Sequence, residues 1–368
     1  MMFRSWITAG ALLVTMIPPA AAEDRASPLP PEAERALDHL VSLTVSEAHL
    51  PSLSLAVARS GELAYATAVG HAALENALAA TPESVYPIGS VTKALTAVAA
   101  LQLAERGLLD LDAPVTQYCE GFAAKEYPVT TRQLLGHLGG IRGYDYSRFE
   151  EDFLNHRVYR SLAAALEKFG ADPLIAAPGT TYEYSSYGYV LVGCAIEGAG
   201  GVSYGEYLRE NVLEPAGANR IGLDDPEAII PFRVRGYARG QAGDWKPAGC
   251  FNPSDRYPAG GLVATAGDLV RFGAFLLEGE LLSTSSRQAM WQIQRTAAGE
   301  PTGSALGWSS SDDGSEIFHG GTTVGGTAYL YLRPADRVVV AFTTNLSLWT
   351  EGRQELARKV ADLVAGPR

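Results

Sequence analysis

Hydrophobic and polar positions follow a pattern along the chain that changes from helical to β-like, and later changes again. Residues 32–50 carry apolar side chains at helical spacing and predict a first helix. Two β-like runs follow at residues 52–59 and 62–68, and the Ser60-Gly61 turn between them predicts a hairpin. The amino-terminal part is therefore predicted to be a helix followed by two paired strands.

Residues 90–106 form the stretch most typical of a helix, with apolar side chains along most of its length and Gly107 as its stop. Further helices are predicted downstream, each ending in or near a glycine, at residues 131–137, 161–169, 186–197, 204–213 and 266–277. The middle of the chain is thus predicted to be mainly helical and rich in loops.

The carboxy-terminal part returns to strands, predicted at residues 316–319, 327–333 and 338–344, before a last amphipathic helix at residues 351–364. This order predicts an α/β (α+β) fold in which both chain ends build one antiparallel sheet, flanked by the N- and C-terminal helices. The sheet lobe would comprise residues 30–80 and 300–368, with a mainly helical lobe, residues 81–299, inserted between them. A cleft between two such lobes is a natural place for a functional site.

The first 22 residues have the features of a secretory signal peptide. Arg4 supplies a positive charge, residues 7–17 an apolar segment, and Ala20-Ala21-Ala22 a small-residue cleavage site. We expect a periplasmic or secreted protein in which residues 23–368 form a single catalytic domain. No later stretch approaches the length of a membrane span, so no integral membrane segment is expected after cleavage.

Composition and charge narrow the class of partner. The 368 residues are 47% hydrophobic and 19% charged, as in an ordinary globular protein. The net charge of −12 argues against nucleic acid and anionic membranes as partners, and it leaves the oligomeric state undetermined.

Cys119, Cys194 and Cys250 make an odd number of cysteines in a chain expected to be exported. Two arrangements stay open, one disulfide with a free thiol or three buried thiols. No spacing of cysteine and histidine residues suggests zinc, so no metal is expected.

The sequence Ser90-Val91-Thr92-Lys93 at the start of the predicted helix carries the first candidate chemistry. A serine hydroxyl needs a base before it becomes a good nucleophile. Lys93 lies three residues on, on the same helix face, and its apolar neighbours should lower its pKa enough to make it a base. The Ser90 N–H would also be free to help bind an oxyanion at the helix start.

Two later motifs complete the candidate site. Tyr184-Ser185-Ser186 precedes a predicted helix, and a tyrosine beside a lysine can act as a general base and acid. Ser186 is a candidate substrate-binding residue and also a candidate N-cap of that helix.

The other motif, His319-Gly320-Gly321-Thr322, lies on a predicted strand near the carboxy terminus. The two glycines would let a substrate backbone approach closely, with His319 and Gly321 as binding residues. The Thr322 N–H could then complete an oxyanion hole with that of Ser90. The remaining histidines (39, 49, 71, 137 and 156) have no comparable setting and are assigned no catalytic role.

Together the three motifs resemble those of the serine β-lactamase and penicillin-binding-protein superfamily. The likeness is closest to its class C branch, which includes D-aminopeptidases, D,D-carboxypeptidases, family VIII esterases and the mitochondrial β-lactamase-like protein. Connecting segments also match over essentially the whole mature chain, at residues 86–89, 108–115, 131–137 and 258–263.

The resemblance implies a β-lactamase/transpeptidase-like fold and an acyl-enzyme on Ser90, with Lys93 and Tyr184 sharing the proton transfers. It implies no metal or organic cofactor, and a small-molecule or peptide substrate. Two departures concern the substrate. Ser186 stands where the family commonly has asparagine, and His319 stands where β-lactamases have the lysine of Lys-Thr-Gly, which helps to hold the substrate carboxylate.

These departures favour a hydrolase for a peptide, amide or ester bond over one that prefers penicillin-like substrates. A true class C β-lactamase or a D,D-carboxypeptidase is the first alternative. The second is a non-catalytic penicillin-binding-like receptor or scaffold, against which the presence of Ser90, Lys93 and Tyr184 speaks.

Overall fold

Helices account for much of the described chain, which comprises residues 29–279 and 281–365 of a computed structural model. In chain order the α-helices over these residues are α1 (Pro31–Glu47), α2 (Thr92–Glu105), α3 (Thr131–Leu135), α4 (Phe149–Asp152), α5 (Leu162–Ala165), α6 (Ser186–Gly200), α7 (Tyr204–Leu208), α8 (Tyr257–Gly260), α9 (Ala266–Glu278), α10 (Thr284–Trp291) and α11 (Arg353–Ala365). The predicted signal peptide, residues 1–22, lies outside the described residues.

The strands come from both ends of the chain and from short segments between them. They are β1 (Ser52–Arg59), β2 (Glu62–Ala73), β3 (Leu78–Ala79), β4 (Tyr86–Pro87), β5 (Gly222–Leu223), β6 (Tyr237–Arg239), β7 (Trp245–Pro247), β8 (Leu262–Ala264), β9 (Ser309–Ser310), β10 (Ile317–Thr323), β11 (Gly326–Arg333) and β12 (Val338–Thr344).

One sheet of seven strands dominates, in the order β3-β2-β1-β12-β11-β10-β9. All of its neighbouring strands are antiparallel. At its centre β1 pairs with β12, so that Ser54 lies opposite Thr343 and Arg59 opposite Val338. The predicted α/β class, with an antiparallel sheet built from both chain ends, is thereby confirmed.

Helices cover both faces of this sheet. Successive side chains of a strand point to opposite faces, so Leu55 and Val57 of β1 join the core under α1 and α11, while Ala56 joins the core on the other face. Helix α9 packs on that other face. A Cβ on Gly273 of α9 would lie 2.7 Å from a methyl of Val339, so glycine allows the close approach.

Helix α2 is the centre of the helical part, and every residue from Thr92 to Leu103 is buried. A helix surrounded by protein has apolar residues on all sides instead of one stripe. Helix α6 packs across α2 and α3, and the short α8 contacts both α2 and α6. The first turns of α2 and α6 and the turn of α8 therefore meet at one point, next to β10.

The predicted elements differ from the observed ones mainly at their ends. The first helix ends at Glu47, β2 continues to Ala73, and the last helix begins at Arg353. The helix predicted from residue 90 starts as a 3-10 turn, Gly89–Val91, and becomes α-helical only at Thr92. A tight entry turn of this kind has no periodicity of its own by which the sequence could indicate it.

Two helices predicted as continuous are divided. Residues 204–213 form α7 and then a π-helical segment, Arg209–Leu213, and residues 161–169 form α5 and then a 3-10 turn, Leu166–Lys168. Helix α10 and the small sheet β4-β8-β5 were not predicted. Strands of two or three residues are too short to show an alternating pattern.

Within the described ranges, none of the helices combines the length and apolar character that a membrane crossing requires.

Candidate active site

Ser90 lies in the 3-10 turn that leads into α2 and is partly exposed, whereas its neighbours Gly89 and Val91 are buried. Gly89 has a φ of +51° and lies against β10, where a Cβ would be 2.7 Å from the Thr322 carbonyl oxygen. Only glycine fits both the left-handed backbone and this contact without strain. The turn thereby presents the Ser90 hydroxyl to a cleft between the sheet and the helices.

Lys93 follows one turn later and is completely buried. Its Nζ lies 3.2 Å from the Ser90 Oγ, 3.2 Å from the Ser186 Oγ and 2.6 Å from the Ala259 carbonyl oxygen, to which it donates. Burial, assisted by the positive charge of Arg256, lowers the pKa of Lys93 to about 7. The desolvation expected from its apolar neighbours is therefore present, and near neutral pH a large fraction of the amine is unprotonated.

Tyr184 lies on the loop before α6, and 41% of its side chain is exposed. The Lys93 Nζ lies over its ring, 5.0 Å from the ring centroid. The first residue of α6 is Ser186, whose hydroxyl is directed at Lys93. Ser186 is not the N-cap: Ser185 has that role and accepts a hydrogen bond from the Gly188 N–H, which leaves the Ser186 hydroxyl available to the site.

His319 lies on β10 with its side chain buried. Its Nδ1 is 2.8 Å from the Gly320 carbonyl oxygen, which can only accept, so Nδ1 carries the proton of the neutral ring. Burial and the nearby charges of Lys93 and Arg353 lower the pKa of His319 to about 3. The imidazole is thus neutral at physiological pH, a stronger effect than the fading charge expected from the sequence.

The glycine pair of β10 runs against the Ser90 turn. A Cβ on Gly321 would lie 2.0 Å from the Ile88 carbonyl oxygen and 2.8 Å from the Ser90 backbone nitrogen. Gly320 and Thr322 line the cleft beside Ser90. The structure therefore brings together all seven residues that the sequence singled out, and their individual catalytic and binding roles stay predictions.

The cleft at Ser90 has a volume of about 420 Å³. Its wall includes Tyr144, Phe153 and Arg256 as well as Gly320, Thr322 and Thr323 of β10. A second pocket of about 410 Å³ adjoins it and contains His137, Tyr182 and Trp308. Tyr184, Gly320, Thr350 and Arg353 line both pockets, so they form the boundary between the two.

Arg353 is a cation of the cleft that the sequence did not indicate. It is the first residue of α11, its Nε donates to the Thr350 carbonyl, and its Nη1 is buried without a hydrogen-bond partner among the described residues. Burial lowers its pKa from the usual arginine value. Replacement of the family's lysine by His319 therefore does not leave the cleft without a positive group.

Arg256 is the second missed cation. It is almost fully buried, pairs through Nε with Asp255 at 2.7 Å, and has its guanidinium over the rings of Tyr144 and Phe153. No local motif marks it, because its proximity to Lys93 arises only when α8 packs against α2. The same holds for Arg353, which reaches the cleft from the far end of the chain.

His137, to which the sequence analysis assigned no catalytic role, lies against Tyr184 at the candidate site. Its ring is buried, with its centroid 4.4 Å from that of Tyr184, and its Nδ1 accepts a hydrogen bond from the Ser185 N–H. Burial and the nearby Lys93 and His319 lower its pKa well below the usual histidine value. One feature of the sequence could have marked His137. It follows the end of α3, at a place where glycine or asparagine is the usual residue.

Comparisons with known proteins match this chain to one family model, described as Beta-lactamase, over residues 33–365. Penicillin-binding protein 4 of Amycolatopsis lactamdurans is 31% identical, and the match covers 88% of each chain. The mitochondrial serine beta-lactamase-like protein LACTB of Homo sapiens is 27% identical over 67% of this chain, which spans only 56% of that relative.

Among solved structures, the octameric penicillin-binding protein homologue from Pyrococcus abyssi superposes with a TM-score of 0.75. The two chains are 26% identical, and the match covers 91% of this chain and 78% of the other. The predicted β-lactamase/transpeptidase-like architecture is confirmed by this likeness.

Proposed function

The chain belongs to the beta-lactamase family of serine hydrolases, and we propose that it is an exported member that forms an acyl-enzyme on Ser90 and hydrolyses a peptide, amide or ester bond. The observation that carries the proposal is the position of Lys93. A fully buried amine, 3.2 Å from the Ser90 hydroxyl and with a pKa of about 7, is a base suited to activating that hydroxyl.

Acylation would begin with transfer of the Ser90 proton to the neutral Lys93 amine as Oγ attacks the substrate carbonyl carbon. The neutral amine keeps two N–H groups, which match the Ala259 carbonyl and the Ser186 hydroxyl, and turns its lone pair toward Ser90. This set of partners supports transfer of the proton from the Ser90 Oγ to the Lys93 Nζ. The negative charge on the former carbonyl oxygen would be bound by the N–H groups of Ser90 and Thr322.

The proton must next reach the leaving group, and water must then attack the acyl-enzyme. The position of Tyr184 supports a role in both steps, because its ring lies beside Lys93 and its side chain is partly exposed. A phenol there can pass the proton to the leaving group and afterwards accept one from the attacking water. The positive charge of protonated Lys93 nearby would stabilise the phenolate form of Tyr184.

The cleft supports a substrate that carries an anionic group. His319 is neutral, but Arg353 and Arg256 both line the cleft, and the Nη1 of Arg353 is a buried donor that a carboxylate could satisfy. This observation favours keeping a D,D-carboxypeptidase or β-lactamase activity as the second candidate. The substrate carboxylate would then be bound by arginine instead of lysine.

Export is supported by the signal-like sequence of residues 1–22 and by the Cys119–Cys194 disulfide. Disulfides of this kind persist in oxidising compartments such as the periplasm or the extracellular space.

Covalent labelling tests the proposal without knowledge of the substrate. Purified protein and its Ser90→Ala variant would be incubated with a fluorescent fluorophosphonate and with a fluorescent penicillin. We expect the fluorophosphonate to label the wild type and not the variant. Absence of labelling by both probes would rule out the hydrolase, and labelling by penicillin as well would favour the second candidate.

A further inference from the structure

Three contacts connect His137 to the segment that carries Tyr184. The His137 carbonyl accepts a hydrogen bond from the Glu183 N–H at 3.0 Å. Its imidazole Nδ1 accepts one from the Ser185 N–H at 3.1 Å. Its ring packs on that of Tyr184 at a centroid distance of 4.4 Å. One residue thus holds the residues before and after Tyr184, and supports the Tyr184 ring itself.

The backbone of His137 is unusual. Helix α3 ends at Leu135, and His137 has a φ of +58°, in the left-handed region. The Leu138 N–H then bonds back to the Gln133 carbonyl at 2.7 Å, as at helix ends that usually have glycine at this place. A side chain with a Cβ costs about 1 kcal/mol in this conformation. Glycine would avoid that cost, so the imidazole at this place needs an explanation outside local folding.

The hydrogen-bond pattern defines the state of the imidazole. Because Nδ1 accepts from a backbone N–H, it has no proton, and the neutral ring carries its proton on Nε2. Charging the ring would place a proton on Nδ1 and remove the acceptor. The neighbouring rings of Tyr182 and Tyr189, with centroids 6.0 and 5.2 Å away, enclose it and fix its orientation.

We infer that His137 is a positioning residue that fixes Tyr184 against Lys93 by accepting the hydrogen bond of the Ser185 N–H and supporting the tyrosine ring. The inference rests on the proposed function, in which Tyr184 transfers protons. Reactive groups lose rate steeply when they are displaced, by up to about 100-fold for 1 Å. Tyr184 is partly exposed and lies on a loop, so it needs such support more than the buried Lys93 does.

The left-handed backbone of His137 allows two well-matched variants, because glycine and asparagine both occur at left-handed helix ends. His137→Asn keeps an acceptor, since Oδ1 is the same number of bonds from Cβ as Nδ1 is. His137→Gly removes both acceptor and ring while relieving the backbone. Both variants would be compared with wild type in the hydrolysis of p-nitrophenyl butyrate, together with their melting temperatures.

We expect His137→Gly to lower kcat at least about tenfold with little change in KM, and His137→Asn to stay within about fivefold of wild type. A double variant gives the decisive comparison. If His137 acts through Tyr184, His137→Gly in the Tyr184→Phe background should cause no further loss, because the group that it positions is already absent.

The possible failures are distinguishable. A Tyr184→Phe variant with wild-type kcat would remove the proposed proton transfer, and the inference with it. A slow Tyr184→Phe variant beside a His137→Gly variant of normal kcat would overturn the positioning role alone. So would full additivity of the two substitutions, or an asparagine variant as slow as the glycine variant.

Discussion

At the level of single residues, the burial of Lys93 makes the stability of the fold depend on pH. A lysine in water has a pKa near 10.4, and full burial together with Arg256 lowers that of Lys93 to about 7. The unfolded chain therefore holds a proton on Lys93 between about pH 7 and pH 10.4 that the folded chain has released. The cost of burying the charged lysine destabilises the folded state fully below about pH 7, where Lys93 is protonated in both states. This cost diminishes as the pH rises from about 7 to about 10.4.

Replacing Lys93 by methionine should accordingly stabilise the protein while abolishing its reaction. We expect a gain of about 2–4 kcal/mol in unfolding free energy at pH 6, which diminishes as the pH is raised toward 10. Thermal unfolding at several pH values measures it. Lys359→Met is the control, because Lys359 is exposed and its replacement should have little effect. A less stable Lys93→Met protein at pH 6 would contradict this account of burial.

The same pKa predicts the pH dependence of acylation. Because the neutral amine is the base, the rate of fluorophosphonate labelling should rise with pH through a midpoint near 7. His137 and His319 cannot cause this rise in labelling rate, since burial lowers the pKa of both well below neutrality.

Arg256 offers a test of the cause. Its charge opposes protonation of Lys93, so Arg256→Gln should raise the pKa of the amine, move the midpoint to higher pH and slow labelling several-fold at pH 7. Arg256→Lys keeps the charge and should keep the midpoint closer to that of the wild type. An unchanged midpoint in Arg256→Gln would show that burial alone lowers the pKa.

At the scale of elements, the site depends on how closely β10 passes the Ser90 turn. Two glycines, one on each segment, make the crossing: Gly89 faces Thr322, and Gly321 faces Ile88 and the Ser90 nitrogen. Neither α2 nor β10 has a complete site alone. Their contact is what brings Ser90 and Thr322 to one cleft.

Adding a single methyl group at this crossing should therefore be costly. Gly321→Ala places a Cβ 2.0 Å from the Ile88 carbonyl oxygen, and we expect a loss of about 1–3 kcal/mol in stability and at least about 100-fold in labelling rate. Gly222→Ala is a matched control, since Gly222 is also in a strand and a Cβ there would meet nothing within 4 Å. Similar labelling rates for the two variants would contradict the role of the crossing.

At the scale of the whole molecule, the sheet and one disulfide connect distant parts of the chain. Strands β1 and β12 pair at the centre of the sheet. Cys119 and Cys194 are joined across 75 residues, between a loop after α2 and the middle of α6, while Cys250 is free and exposed. Of the two arrangements that the sequence left open, one disulfide with a free thiol is the one that forms.

Removing the disulfide should destabilise the fold without changing the chemistry. For a loop of this length the chain-entropy cost predicts a loss of about 4–5 kcal/mol in Cys119→Ser/Cys194→Ser, with a normal labelling rate at low temperature. Cys250→Ser should leave the melting temperature unchanged. A maleimide should modify one thiol per native molecule, and more than one would contradict the disulfide.

The elements and the nucleophile could be predicted from the sequence because their signals are local. Helices and long strands repeat at 3.6 or two residues, and Ser90 and Lys93 are one turn apart on the same helix, so no distant contact is needed to bring them together. The likeness to a family extended this to Tyr184 and His319. The ends of elements and the strands of two residues could not be predicted, because hydrogen bonds to segments distant in sequence determine them.

Tertiary structure alone decided what surrounds these residues. The Ala259 carbonyl that binds Lys93, the two arginines of the cleft and the imidazole that supports Tyr184 come from separate parts of the chain. Each of these groups acts through its distance, burial or charge in three dimensions. The residues next to it in the sequence do not indicate any of these properties. The sequence thus determined which groups could react, while packing decided their protonation, their orientation and the charges that a substrate meets.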